Sequence, residues 1–378
     1  MGSSNDGGIL TNDLVISIRS LRRVGYLKKC LASLEAQTDL SEVDFHFYQD
    51  GAVNPFSGRR HATDAQVAES LATFEASSLP NKTIVVKDHN VGTAIQKNEI
   101  LEALFPKYRY VMMLDNDLVF NKFYIHTLLT LFRQFEPYPE VGMLQTSYFY
   151  NARTAPETVA FARDHADVVK YGFGQRWEQG FWRKNWSQIQ HHFLPYMELA
   201  GHADYKEMLL YDKPAFAKAK RKILERYRTV SADFVLEKCV RRAGFQGLHT
   251  AALRHRTIGR SGIYSDAKKF DRMKMGRVKV HAVGDATQYR LLTPGLAKKV
   301  VAKKKPTPKK RVAPKKATPK KPSAWVMMVY TGSDSAPFSI RGHVSKNTYW
   351  RIREGEPVPI LRVDEAFFKQ HGFRRVHK

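Results

Sequence analysis

The run Tyr110-Val111-Met112-Met113-Leu114-Asp115-Asn116-Asp117-Leu118-Val119-Phe120 most constrains what this chain can fold into. An apolar stretch of this kind reads as a buried strand, and it ends in two carboxylates one residue apart. A strand that ends this way delivers both acids to the rim of a sheet. There, oxygen-preferring Mg2+ or Mn2+ can bind them together with a substrate diphosphate. Asp-x-Asp also serves as a turn or a helix cap after a strand, so its company decides between the two.

Three earlier segments supply that company. Leu14-Val15-Ile16-Ser17-Ile18-Arg19-Ser20 is a β-rich run, followed from Gly25 to Leu34 by apolar residues at helical spacing. Val43-Asp44-Phe45-His46-Phe47-Tyr48-Gln49-Asp50-Gly51 alternates like a strand and places Asp50 at its carboxyl end, where open α/β sheets bind ligands. Ile84-Val85-Val86-Lys87 leads through Asn90-Val91-Gly92 into a helix that carries Asn98, and helix N-termini attract phosphate.

With these four segments in this order, residues 12 to 125 resemble the inverting GT-A glycosyltransferases of family 2. The matching residues are Tyr26-Leu27, Cys30-Leu31, Ser33-Leu34 and Gln37, then Asp50, then Asn90-Val91-Gly92 through Asn98, then Asp115-Asn116-Asp117. The resemblance implies an α/β GT-A domain, a Rossmann-like nucleotide-diphospho-sugar transferase fold. It implies that Ser17, Arg19, Asp50, Gly92, Asn98 and Asp115 contact a nucleotide-sugar donor, a UDP-sugar first among them. Asp115 and Asp117 would hold Mn2+ or Mg2+. Gln49-Asp50-Gly51-Ala52 departs from the family, which commonly has two adjacent acids and a serine there.

The resemblance continues from Ser231 to Phe245, like the acid-bearing helix ending in glycine from which an Asp acts as general base. Asp233 takes that place. Geometry selects such a base before acidity does, and an Asp in a first helical turn is equally suited to the helix terminus. His255-Arg256-Thr257-Ile258-Gly259-Arg260-Ser261-Gly262 resembles the loop whose His completes the metal site, with Thr257 at the usual His position and His255 two residues earlier. The implied reaction is a single in-line displacement with inversion of configuration. A hydrolase with paired carboxylates would leave the Asp50 and Asn98 segments without a purpose.

The net charge of +26 is concentrated but not confined to one place. Residues 296–322 hold twelve Lys and Arg and no acid, in a recurring Pro-Lys-Lys pattern without aromatics. Such a segment cannot build a core and reads as an extended, self-repelling linker. It resembles the tails of linker histones, which bind DNA through counterion release; a solvated spacer is the alternative.

Beyond the linker, β-type runs at 324–332, 338–344 and 358–363 and a short helix at 364–373 read as a small β-rich module that docks a protein partner. It resembles modules appended to bacteriophage proteins. The expected organisation is a flexible N-terminus at 1–10, the GT-A domain at 11–295, the linker at 296–323 and the module at 324–378.

Residues 145–228 interleave aromatics with Arg and Lys, which suits either a core or an extruded base. His191-His192 is discounted as a metal pair, because adjacent histidines rarely face the same way. The two cysteines, Cys30 and Cys239, lie in helical patterns with apolar neighbours and read as buried thiols. No run of eighteen apolar residues exists and the N-terminus lacks the pattern of a signal peptide. The expectation is therefore no membrane insertion and a place in the cytoplasm of an infected bacterial host.

The acceptor expected from charge, linker and phage resemblance is hydroxymethylated bases of viral DNA, with a hexosyl or pentosyl group transferred. A virion protein or surface glycan is the second acceptor class, and an inactive transferase fold that binds nucleic acid is the third reading.

Overall fold

The computed structural model describes residues 12–147, 164–174, 176–210, 214–260, 267–272, 280–281 and 286–292, and five strands between Trp325 and Arg375. Two compact units emerge, Met1–Lys304 and Lys305–Lys378. The expected flexible N-terminus at 1–10 and the linker at 296–323 lie outside the described residues.

The first unit opens with β1 (Leu14–Ser20), α1 (Val24–Glu35), β2 (Val43–Gln49), α2 (Asp64–Glu75), β3 (Lys82–Val86), α3 (Gly92–Leu104), β4 (Tyr110–Asp115), β5 (Leu118–Phe120) and α4 (Tyr124–Phe135). It continues with β6 (Val141–Gln145), β7 (Val168–Tyr171), β8 (Glu178–Trp182), α5 (Arg183–Ala200), α6 (Tyr205–Leu210), α7 (Pro214–Tyr227) and α8 (Ala232–Arg242). β9 (Gln246–Thr250), β10 (His255–Thr257), α9 (Ala267–Arg272) and β11 (Arg290–Leu291) complete it. Nine strands form one sheet in the order β11-β7-β9-β6-β8-β4-β1-β2-β3, while β5 and β10 pair separately. β3, β2, β1 and β4 run parallel, and β8 joins β4 antiparallel. The unit is a mixed α/β domain built on a large, mostly parallel sheet.

The strands at its centre are buried on both faces, which is why they read as continuous apolar runs. Leu14, Ile16 and Ile18 of β1 join Leu27, Leu31 and Leu34 of α1 in one core cluster, whereas Val15 joins Ile100 and Leu101 of α3 in the other. Alternation along a strand sends neighbours to opposite faces. Phe132 of α4 lies between Tyr110 and Trp182, with ring centroids 5.0 and 4.9 Å away. Most of the aromatics described between 145 and 228 serve packing: Phe181, Trp182, Trp186, Phe193 and Tyr196 are all buried.

The loop between β2 and α2 is latched to the start of α6. Asp204 accepts from Ser57 Oγ at 2.5 Å and pairs with His61 Nε2 at 2.8 Å, and it accepts from the backbone N–H of Glu207 at 3.1 Å. Burial alone would raise the Asp204 pKa, but these donors outweigh it and pull the carboxyl down to about 2. A carboxyl depressed in the fold contributes stability that is present above its unfolded value of roughly 4 and lost as pH falls through the folded one. The expected contribution is on the order of 2 kcal/mol. Between pH 5 and pH 2, the acid unfolding of Asp204→Asn should therefore be flatter than wild type; parallel curves would show that the latch adds nothing.

In the second unit, Trp325–Tyr330 pairs antiparallel with Pro357–Leu361 and with Phe373–Arg375, and Phe338–Arg341 pairs with Thr348–Ile352. The β-rich character matches the sequence pattern. The helix expected at 364–373 falls on residues outside the described set, apart from Phe373, which is in a strand. No helix among the described residues is long and apolar enough to cross a membrane.

Candidate active site

Parallel pairing of β1 and β4 sets Arg19 opposite Asp115 at the carboxyl ends of the two strands. Arg19 Nη2 donates to Asp115 Oδ1 at 2.5 Å; Arg19 is buried, while the Asp115 side chain keeps 28% of its exposure. The chain then turns at Asn116 and Asp117. The Asn116 amide donates to Ser20 Oγ at 2.9 Å, and Arg23 Nη1 donates to Asp117 Oδ2 at 2.5 Å. Asp117 Oδ1 is buried and has no hydrogen-bond partner.

The strand β10 closes this corner. Ile258 N–H donates to the Asp117 carbonyl at 2.8 Å, and Gly259 lies so close that a Cβ there would overlap Asp117 Oδ2. Gly259→Ala should displace the carboxylate and lower turnover at least tenfold with little loss of stability, because the group that must move is a side-chain tip and not a core residue. Wild-type turnover in that variant would mean that the loop has room to give.

On the other side of the sheet end, Lys97 of α3 reaches across to α8. Its ammonium donates to Asp233 Oδ1 and to Gln179 Oε1 of β8, and Lys97 is 1% exposed. Burial holds the Lys97 pKa below its ordinary value, with Asp233 pulling the other way. Burial raises Asp115, opposed first by Arg19, while Asp117 and Asp233 add to the rise and Lys97 counters it. Asp115, Asp117 and Asp233 thus share one electrostatic neighbourhood with Arg19, Arg23 and Lys97. Asp233 stands in the first turn of α8, but Ser231 is the cap residue and the Asp233 carboxylate turns to Lys97.

Asp50 is placed differently. Its carboxylate accepts from the N–H groups of Gly51, Val91 and Gly92 at 3.0, 2.9 and 3.1 Å and from the Asn90 amide at 2.8 Å. Four donors fill the acceptor sites of a carboxylate, so Asp50 pins the loop that starts α3, where Gly92 sits at φ 77°. Burial pushes its pKa up to about 6 against the pull of these N–H groups. Asp50→Ala should cost roughly 3 kcal/mol by stranding several buried donors, seen as a lower Tm. An unchanged Tm would return Asp50 to nucleobase contact.

The remaining sequence candidates are scattered. Asn98 accepts from Gln190 at 3.2 Å in the packing between α3 and α5. Ser17 is fully buried on β1, its Oγ unpartnered. His255 is fully buried too; its Nδ1 lies 3.2 Å from Glu178 Oε1 and 2.9 Å from Ser147 Oγ. The structure does not bring His255 to Asp115 and Asp117. Among the described residues no group of three His, Cys, Asp or Glu could hold a metal ion.

Sequence reasoning passed over Arg23, Lys97, Gln179 and Glu237. Lys97 stands next to Asn98 in the segment that carries the resemblance, so its position was visible and its partner was not. Glu237, one turn beyond Asp233, is buried 2.9 Å from Arg176, and burial pushes it up to about 7 against that cation.

No protein-family model matches this chain, and no curated protein matches it. Among solved structures it is similar to S. aureus TarS 1-349 in complex with UDP-GlcNAc, at 12% identity and TM-score 0.33, over 47% of each chain. S. aureus TarS 1-349 also appears at 11% identity and TM-score 0.36, covering 61% of this chain and 71% of that one. The mannosyltransferase PcManGT from Pyrobaculum calidifontis, in complex with GDP-Man and Mn2+, is 11% identical with TM-score 0.35, covering 63% and 74%. The match spans less than half the length of the first of these chains. Overlap at this level assigns no function, and the site geometry carries that weight alone.

Proposed function

We propose that this chain is a metal-dependent inverting glycosyltransferase, moving a sugar from a nucleotide-diphosphate donor to a hydroxyl group on hydroxymethylated bases of viral DNA. The observation that carries the transferase reading is the gathering of Asp115, Asp117 and Asp233 with Arg19, Arg23 and Lys97 at the carboxyl ends of parallel strands. Three acids and three cations balance. A divalent cation and a diphosphate arriving together add little net charge, so the set can exchange internal ion pairs for external ones.

The residues fit a divalent cation. Asp117 Oδ1 is a buried carboxylate oxygen with no partner, and the Asp115 side chain is open enough to be reached. Two carboxylates, with phosphate oxygens and water filling the other positions, is an arrangement Mg2+ accepts. Asp115 and Asp117 would hold the ion, which supplies Lewis-acid neutralisation of the leaving diphosphate.

The chain's own groups do the rest. Arg19 and Arg23, the present counterions of the carboxylates, are available to pair with phosphate. Asp233 accepts the proton of the attacking hydroxyl, and Lys97 keeps that carboxylate oriented and ionised. The hydroxyl oxygen bonds to the anomeric carbon as the bond to the diphosphate breaks, and one displacement inverts the configuration.

Two measurements test this. A panel of sugar nucleotides with Mn2+ should show thermal stabilisation by at least one donor. Labelled donor should then pass its sugar to hydroxymethylated DNA and not to unmodified DNA or virion proteins. Transfer to protein alone would overturn the acceptor, and no donor binding at all would overturn the transferase reading.

A further inference from the structure

The exposed side of α7 and α8 carries a charge that the chemistry above does not use. Lys218, Arg221, Lys222, Arg226, Arg241 and Arg242 are all exposed there. Glu225 is the single exposed acid on the two helices, and it lies 3.9 Å from Arg221.

Where α8 meets α5, an open groove of about 450 Å³ is lined by Ser187, Gln188, His191, His192, Arg242 and Ala243, with no carboxylate among them. Its cations are built in. Arg242 Nη2 donates to the Arg226 carbonyl at 2.7 Å, and both guanidiniums lie over the buried Tyr227 ring, at 4.9 and 5.7 Å. The Tyr227 hydroxyl in turn donates to the His192 carbonyl at 2.9 Å. Two guanidiniums held over one ring beside two histidines repel one another, a cost that a bound anion would offset. Arg241 and Arg242 also complement the dipole of α8 in its last turn. That role does not reach Arg226, His191 or His192, which belong to other helices.

The groove is tied to the candidate active site by α8 itself. Phe234 follows Asp233 and is 41% exposed, with the Arg176 guanidinium 3.7 Å from its ring centroid. Lys238 and Arg241 continue the same side of the helix at spacings of four and three. From Asp233 to Arg242 the helix rises about 14 Å, roughly four nucleotide steps of 3.4 Å each.

We infer that this face docks a nucleic-acid strand, with a backbone phosphate in the groove between α5 and α8 and a base stacked on Phe234 beside Asp233. Base stacking on an aromatic and phosphate pairing along a basic track are the two elements of sequence-tolerant strand binding. The inference rests on the DNA acceptor proposed above, and it assigns strand contacts to the folded unit in addition to the 296–322 segment.

The test is fluorescence anisotropy of the full chain with a labelled 20-nucleotide DNA strand across a salt series. The double variant Arg226→Glu, Arg242→Glu should flatten the slope of log K against log salt by about 2, one for each lost phosphate contact, and weaken binding at least tenfold. Because Arg242 also anchors α7, the exposed Gln188→Glu is a second variant that adds a negative charge at the groove wall; it should weaken binding at least threefold. Wild-type slope and affinity in both variants, with binding lost only when the 296–322 lysines are replaced, would overturn the inference. So would a loss confined to anionic phospholipid vesicles or to a polyol-phosphate polymer, with DNA binding intact. Donor-induced thermal stabilisation of the wild-type chain is read separately: its absence overturns the transferase reading and leaves the salt slopes to judge the groove.

Discussion

Asp117→Ala abolishes sugar transfer, lowering kcat by roughly 10³ or more, while the protein stays folded. The size follows from what the carboxylate would do: it is one of two acids that hold the ion opposite the leaving diphosphate, and Asp115 alone cannot replace it. The small cost in stability follows from its surroundings. Asp117 Oδ1 has no hydrogen-bond partner to lose, and the Arg23 side chain that pairs with Oδ2 is 32% exposed and regains water. Losing a pair of this kind costs about 1 kcal/mol or less. Turnover at saturating donor and Mn2+, metal-dependent nucleotide binding and Tm form the measurement. Turnover within tenfold of wild type would return the Asp-x-Asp turn to a purely structural role.

Asp233→Asn should lower kcat by roughly 10² to 10⁴ with the donor KM unchanged. The amide keeps the shape of the side chain and its place in the first turn of α8, but it cannot take a proton. Stability also falls, because Lys97 is almost fully buried and its ammonium is left facing a neutral partner. The Asp233 end of the pair is 27% exposed, so the loss should stay below the roughly 3–5 kcal/mol of a fully buried pair. Assays are therefore run well below the lowered Tm. A helix-terminus role for Asp233 predicts the stability loss alone, with wild-type kcat in the surviving folded protein. The kcat measurement separates the two.

Much of the scaffold was legible before any coordinates. β1, α1, β2 and β4 fall within a residue or two of the segments marked by apolar runs and helical spacing, since those signals are local in the chain. Asp115 and Asp117 were legible for the same reason: a strand that stops at a carboxylate exposes it at the sheet end. Asp50 shows the limit of that inference. It too ends a strand, yet the loop from Asn90 to Gly92 folds over it and takes every acceptor site. His255 shows it again, because β10 pairs with β5 in a register that sets His255 opposite Phe120 and turns its imidazole to Glu178.

The sequence by itself determined the strand–helix alternation of the first half, the carboxylates at the strand ends and the separation of a basic segment from the folded chain. Each is set by hydrophobicity and charge over a few neighbouring residues. Only the tertiary structure decided which charges meet. Arg19 pairs with Asp115 across 96 residues and Lys97 with Asp233 across 136, because the strand order brings β1 beside β4 and α3 packs on the same face as α5 and α8. Coulomb attraction acts through space within a few ångströms, and no periodicity in the chain encodes that proximity.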